Sequence, residues 1–181
     1  MTKTCGPSHT FAFPLVVIDF EATALTLQSY PIEVGVAIAR NNTEPMETWS
    51  SLIQPDPSWN MRNQWDPDAE GIHGISGWQL RQGLPAVQVM EQLNALIAPI
   101  GHAWCDGGHY DELWSTTSTL AAGIRPSFRL VSIGARIELN AQAKNCFDKI
   151  LRSSSAPHRA GPDAERLCRT LAPRCAKMKG I

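Results

Sequence analysis

Asp19 and Glu21 stand two residues apart at the end of an apolar run, Val16-Val17-Ile18-Asp19-Phe20-Glu21. On an extended chain, residues i and i+2 point to the same face. Two carboxylates therefore emerge side by side from the end of a buried strand. Like charges brought together away from water want a cation between them. Hard divalent ions such as Mg²⁺ take oxygen ligands of this kind. The plainer alternative is a strand end turning into solvent with two incidental acids.

Two further clusters carry groups of the same kind. In His158-Arg159-Ala160-Gly161-Pro162-Asp163, the histidine lies on a loop and the acid falls in the first turn of a helix begun by Pro162. An acid there is also a good partner for the helix dipole whether or not it does chemistry. In Trp104-Cys105-Asp106-Gly107-Gly108-His109-Tyr110-Asp111, a strand ends, two glycines turn the chain, and an acid sits early in the next helix. Asp106 and Asp111 are both candidate ligands, and either could equally serve as a helix cap.

The elements that must position these groups are read from apolar periodicity. Strands are predicted over Leu15–Phe20, Ile32–Ala39 and Thr48–Gln54, joined by short connections that suit antiparallel neighbours. Pro57 to Gly83, rich in Trp, Pro, Asp and Gly, reads as a long loop, which in a compact domain points to a functional or disordered segment. Helices are predicted over Pro85–Ile97, His109–Ala122, Ala135–Leu151 and Pro162–Leu171, with short strands at His102–Cys105 and Leu130–Ile133. Strands first and alternation later imply an α/β fold with a mixed sheet, three antiparallel strands plus parallel ones, flanked by helices.

The 181 residues, 43% hydrophobic and 18% charged, suit one soluble globular domain. We read residues 11–176 as that domain, residues 1–10 as a flexible N-terminus and residues 177–181 as a basic tail. No apolar run approaches the roughly 20 residues that cross a bilayer, and Met1 to Thr10 holds no apolar signal core. A cytoplasmic protein without membrane contact is expected. Five cysteines without a C-x-x-C pair favour reduced thiols over a disulfide frame. The net charge of −1 announces no nucleic-acid binder. From Lys144 onward, however, there are nine Lys/Arg against three acids, Asp148, Asp163 and Glu165. Such a stretch suits a phosphate backbone, or a solvated helix face.

Taken together and in this order, the three clusters resemble the DEDD exonucleases of the subclass with a motif histidine, which includes ribonuclease T-like enzymes and polymerase proofreading subunits. The first motif stands as D19-F20-E21-A22-T23, followed by Pro31-Ile32-Glu33-Val34-Gly35. The second stands as Tyr110-Asp111 behind a strand ending at Trp104, and the third as H158-x4-D163. His73-Gly74-Ile75-Ser76 is a further piece of this kind. The resemblance runs from about Val16 to Leu171. It departs in two places. Asp106-Gly107 stands where relatives often carry His-Asn, which leaves Asp106 as a fallback ligand. Thr23-Ala24 replaces Thr-Gly.

The resemblance implies a ribonuclease-H-like fold and a 3′→5′ exonuclease that releases nucleoside 5′-monophosphates from single-stranded RNA or DNA 3′ ends. The form of the first motif leans toward RNA. Two ions, Mg²⁺ or Mn²⁺, would be held by Asp19, Glu21, Asp111 and Asp163, with Asp19 touching both. His158 would take the proton from the attacking water. Ala22, Thr23 and Leu25 would face the terminal nucleotide, with His73 nearby. Trp59, Trp65 and Trp78 could stack bases or simply cover the core. Several relatives act as dimers, so a homodimer is allowed. The competing readings are an inactive nuclease-like module for nucleic-acid or protein binding, and a different metal hydrolase on the same sheet.

Overall fold

An eight-residue apolar strand, β1 (Leu15–Ala22), forms the axis of the molecule. On one side of it lie β2 (Pro31–Ala39) and then β3 (Glu47–Leu52), both antiparallel to their neighbours. On the other side lie β4 (His102–Cys105) and then β5 (Arg129–Ser132), both parallel. The five-stranded mixed sheet has the order β3-β2-β1-β4-β5. The computed structural model describes residues 11–137, 141–153 and 156–172. The segments 1–10 and 177–181, with Cys5 and Cys175, lie outside the described residues.

Helices cover both faces of the sheet. Val16, Ile18, Phe20 and Ala22 of β1 pack with Val34, Val36 and Ile38 of β2 against one layer. That layer contains α2 (Ala86–Ile97), through Val89, Met90, Leu93 and Ile97, and α3 (His109–Ala122), through Trp114. The other alternation of the same strands, Leu15 and Val17 with Ala37 and Ala39, packs against α6 (Ala160–Leu171) through Ala164, Leu167, Cys168 and Leu171. Burial on both faces explains why β1 and β2 read as continuous apolar runs rather than alternating ones. Asp19 and Glu21 continue the α6 face toward the carboxyl end of β1.

The predicted element order holds, with four local corrections. The stretch Pro57 to Gly83 is not structureless. It contains α1 (Pro67–His73), a 3₁₀ turn at Met61–Asn63 and another at Gln79–Gln82. The Asp66 side chain accepts the Asp68 amide at 2.9 Å, Pro67 opens the helix, and Gly74 closes it at φ 68°. These are ordinary helix-end signals in a segment too short for helical periodicity to show. Strand β3 stops at Leu52, because Ile53 bridges to Leu84 instead. Ile133 opens the short helix α4 (Ile133–Ile137) rather than ending β5, and α5 (Ala141–Ser153) follows, so the helix expected over Ala135–Leu151 lies on either side of residues 138–140. The last helix begins at Ala160 rather than Pro162, and its first amide is taken by the Glu33 carboxylate at 2.9 Å. Proline within a first turn leaves no intrahelical bond unmade.

Cys105 and Cys168 are buried free thiols. Among the described residues, no helix is long and apolar enough to cross a membrane.

Candidate active site

The carboxyl ends of β1 and β4 lie side by side at the middle of the sheet. Val17 pairs with Trp104 in parallel register. Two residues further along each strand, Asp19 and Asp106 come level. Beside them, α6 runs back along β1, so that its amino end stands over the strand's carboxyl end. Its Cys168 thiol reaches the Leu15 carbonyl at 3.8 Å, while Asp163 sits beside Asp19 and Glu21. Crevices at the carboxyl ends of central strands are where open α/β sheets take ligands.

Two glycines permit this close seating of α6. A Cβ at Gly35, the residue paired with Asp19, would overlap the backbone of Ala160 and Gly161. A Cβ at Gly161 would come within 2.9 Å of the Ser50 side chain.

Oxygens of Asp19, Glu21 and Asp163 lie within 4.8 Å of one another. With Asp106, His158 and Arg166, they line a cleft of about 250 Å³. Burial, with Asp106 as the next largest influence, holds the Asp19 carboxyl well above the usual carboxylate range. Burial also pushes Glu21 up to about 7, helped by Asp163 and Glu33 and opposed by Arg159. Three carboxylates this close repel one another when ionised, and a divalent cation relieves that repulsion. The donor set is all oxygen, as Mg²⁺ and Mn²⁺ prefer.

The two acids of the β4–α3 turn are placed differently. Asp106 borders the cleft and is open to solvent, although the crowded wall around it raises its carboxyl; Arg166 opposes the rise. Asp111 is 1% exposed and accepts the Gly107 amide at 2.8 Å. Burial and Asp106 push it up to about 7, while the Gly107 amide and Cys105 thiol pull it down. Asp111 thus sits behind the turn, whereas Asp106 faces the opening.

His158 is exposed on the cleft rim, at φ 52°, in the left-handed region. Its neighbour Arg159 is bound to Glu33, whose carboxylate is buried in β2. Arg166 donates to Asp163 Oδ1 at 3.1 Å, and the Arg159 amide donates to Asp163 Oδ2 at 3.2 Å. Sequence reasoning assigned no role to Glu33, Gly35, Arg159, Gly161 or Arg166. One signal was present: Glu33 is the single charge in a nine-residue strand that is otherwise apolar and buried throughout. Such a charge must have a partner.

The four residues expected to face a nucleotide are divided. Ala22, Thr23 and His73 are buried, and Leu25 is 70% exposed. The Thr23 hydroxyl accepts the Tyr30 amide at 3.0 Å and closes the 23–30 loop. The Tyr110 hydroxyl donates to the Leu25 carbonyl at 3.1 Å, tying that loop to α3. His73 Nδ1 accepts the Ile75 amide at 3.0 Å, and burial holds its pKa below the usual imidazole range. Of the three loop tryptophans, Trp59 stacks on Tyr30, and Trp65 donates to Glu70 at 2.6 Å. Trp78 stands 64% exposed.

No known family model matches the chain, and no curated protein sequence does. Solved structures do match. A 3′-exonuclease described by its 3′-end specific recognition of histone mRNA stem-loop aligns at a TM-score of 0.65 and 14% identity, over 88% of this chain and 81% of that one. A full-length 3′-exonuclease aligns at 0.65 and 16% identity, over 88% of this chain and 60% of its own length. Escherichia coli exonuclease I, in complex with a dA16 oligonucleotide, aligns at 0.65 and 12% identity, over 90% of this chain and 42% of its own. The chain therefore spans less than two thirds of the length of the last two proteins. The single α/β domain with its five-stranded mixed sheet has the ribonuclease-H-like fold of these exonucleases.

Proposed function

We propose that this protein is a metal-dependent 3′→5′ exonuclease acting on single-stranded nucleic-acid ends and releasing nucleoside 5′-monophosphates. The observation that carries the reading is the trio Asp19, Glu21 and Asp163, converging within 4.8 Å at the carboxyl end of the central strand. The shared fold of solved 3′-exonucleases supports it. RNA ends are favoured over DNA on the form of D19-F20-E21-A22-T23.

Asp19, Glu21 and Asp163 would hold one Mg²⁺ or Mn²⁺, and Asp19 with the acids of the β4–α3 turn a second. Asp111 would help hold that second ion, with Asp106 as the alternative or additional ligand. Bound ions supply Lewis-acid polarisation of the phosphate and a lowered pKa for the attacking water. His158, on the open rim of the cleft, is the group that accepts the proton of that water as general base. Leu25, exposed beyond Thr23, offers an apolar face to the terminal base, while Ala22, Thr23 and His73 form the floor beneath it. The buried His73 accepts the Ile75 amide at Nδ1, which leaves Nε2 as its donor toward a bound end.

The test is product identity. Single-stranded RNA labelled at its 3′-terminal nucleotide is incubated with Mg²⁺, Mn²⁺ or EDTA, and the released label is chromatographed. Release as nucleoside 5′-monophosphate only with metal is expected. Release of longer labelled fragments, or release in EDTA, would sink the assignment.

A further inference from the structure

Glu33 and Arg159 form a latch between the amino-terminal hairpin and the segment that carries His158. Glu33 lies on β2 opposite Glu21 and is 3% exposed. Neither of its oxygens is free. Oε2 accepts Arg159 Nε at 2.9 Å and the Ala160 amide at 2.9 Å, and Oε1 accepts the second guanidinium nitrogen. The residue immediately after His158 is therefore gripped by its side chain. It is gripped again by its backbone: its amide donates to Asp163 Oδ2, and its carbonyl accepts the Asp163 amide at 2.9 Å.

The latch is not needed to dock α6 as a whole. Leu167, Cys168 and Leu171 bury the helix in the apolar layer under β1 and β2. What apolar contacts leave loose is the angle at which the chain enters the helix, and that entry carries His158. Among the described residues, His158 is the only non-glycine residue with positive φ. A left-handed residue without a glycine persists where its surroundings over-determine it. A bidentate guanidinium–carboxylate pair, planar and directional, supplies that determination in a way a single point charge would not.

We propose that Arg159 and Glu33 are positioning residues that fix the His158 imidazole relative to the end of the nucleic acid. The inference rests on the exonuclease reading. Arg159 also faces Glu21 electrostatically, so an effect through charge on the cation site is the rival explanation.

A double-mutant cycle separates them, with Arg159→Met and Arg159→Lys made in the wild type and in His158→Ala. Single-turnover cleavage of a 5′-labelled RNA oligomer and calorimetric Mn²⁺ binding are the readouts. Arg159→Met is expected to slow cleavage by about 10- to 100-fold, as misplacement of a catalytic group by an ångström does. Oligomer KM and Mn²⁺ affinity should stay within about twofold. Arg159→Lys keeps the charge but not the fork, and should not restore the rate. In the His158→Ala background the same change should cost nothing further, since groups acting as one unit are not additive. An equal loss in both backgrounds, or full rescue by lysine, would overturn the proposal. If Arg159→Met does not fold, Glu33→Gln, which keeps an acceptor for the Ala160 amide, replaces it with the same expectations. If the wild type cleaves nothing, the exonuclease reading fails on its own. The latch is then read by backbone order parameters of residues 156–159, which should fall in Arg159→Met; unchanged order would overturn it.

Discussion

At the scale of single residues, burial and neighbouring acids raise the carboxyls of Asp19, Glu21, Asp106 and Asp111. Glu21 and Asp111 are both raised to about 7, from ordinary values of 4.5 and 3.8. Without metal, the folded chain therefore binds more protons than the unfolded chain between those ordinary values and about 7. The stabilising contribution is fully present below the ordinary values and is lost as the pH rises through about 7. His73, with its pKa lowered by burial, works in the opposite direction on the acid side of neutrality. Thermal melts in EDTA should give a higher midpoint at about pH 5.5 than at about pH 8. Added Mn²⁺ should raise the midpoint most at about pH 8, where the acids repel most strongly. A midpoint insensitive to both would mean that these acids do not share one cation site. His158 has a different duty. His158→Ala should lower the cleavage rate by roughly 10²–10⁴, the range for a general base, and leave Mn²⁺ binding in place. Loss of metal binding in that variant would make His158 a ligand instead.

At the scale of elements, the seating of α6 and the β4–α3 turn decide where the acids stand. Gly35→Ala puts a methyl group into the backbone of Ala160 and Gly161. Overpacking of that kind costs about 1–3 kcal/mol and pushes the helix off the sheet. The variant should melt earlier and also bind Mn²⁺ more weakly, because Asp163 moves with the helix. Early melting with unchanged metal affinity would show that Asp163 is not part of the cation site. In the turn, Asp106→Asn and Asp111→Asn should differ. Asp111 holds the Gly107 amide from a buried position, so its loss should lower both stability and metal affinity. Asp106 borders the open cleft, so its loss should spare stability. Unchanged Mn²⁺ binding in Asp106→Asn would leave Asp111 as the sole acid of that turn at the second ion.

These elements also show what could be read in the chain alone. Long apolar strands and the glycine-ended helix α3 were legible because their signals are local. The helix α1 was missed because Asp66, Pro67 and Gly74 mark its ends while seven residues are too few to show a period. Of the candidate site, the acids and His158 could be named from the chain by type and order, and the fold brings Asp19, Glu21, Asp163 and His158 to one cleft. Glu33 and Arg159 were not, because their meaning depends on a pairing across 126 residues.

At the scale of the molecule, the mixed sheet brings the carboxyl ends of β1 and β4 together under the amino end of α6. One face of the chain thus gathers acids from positions 19 to 163. Escherichia coli exonuclease I and the 3′-exonucleases share this frame. Trp78, in the stretch before α2, is the most exposed tryptophan among the three of that stretch, and an exposed indole is a surface on which a base could stack. Trp78→Ala should leave the melting midpoint unchanged and weaken oligomer binding by the ~1–3 kcal/mol typical of one stacked base. A shifted midpoint with unchanged binding would return it to a structural role.

A cleavage ladder tests the exonuclease activity most directly. Single-stranded RNA and DNA oligomers labelled at the 5′ end are incubated with the protein in Mg²⁺ or Mn²⁺, beside EDTA and a His158→Ala/Asp163→Ala variant. A metal-dependent ladder shortening from the 3′ end, faster on RNA and absent from both controls, is expected. Intact oligomers under every condition, from a folded protein that binds no Mn²⁺, would contradict it.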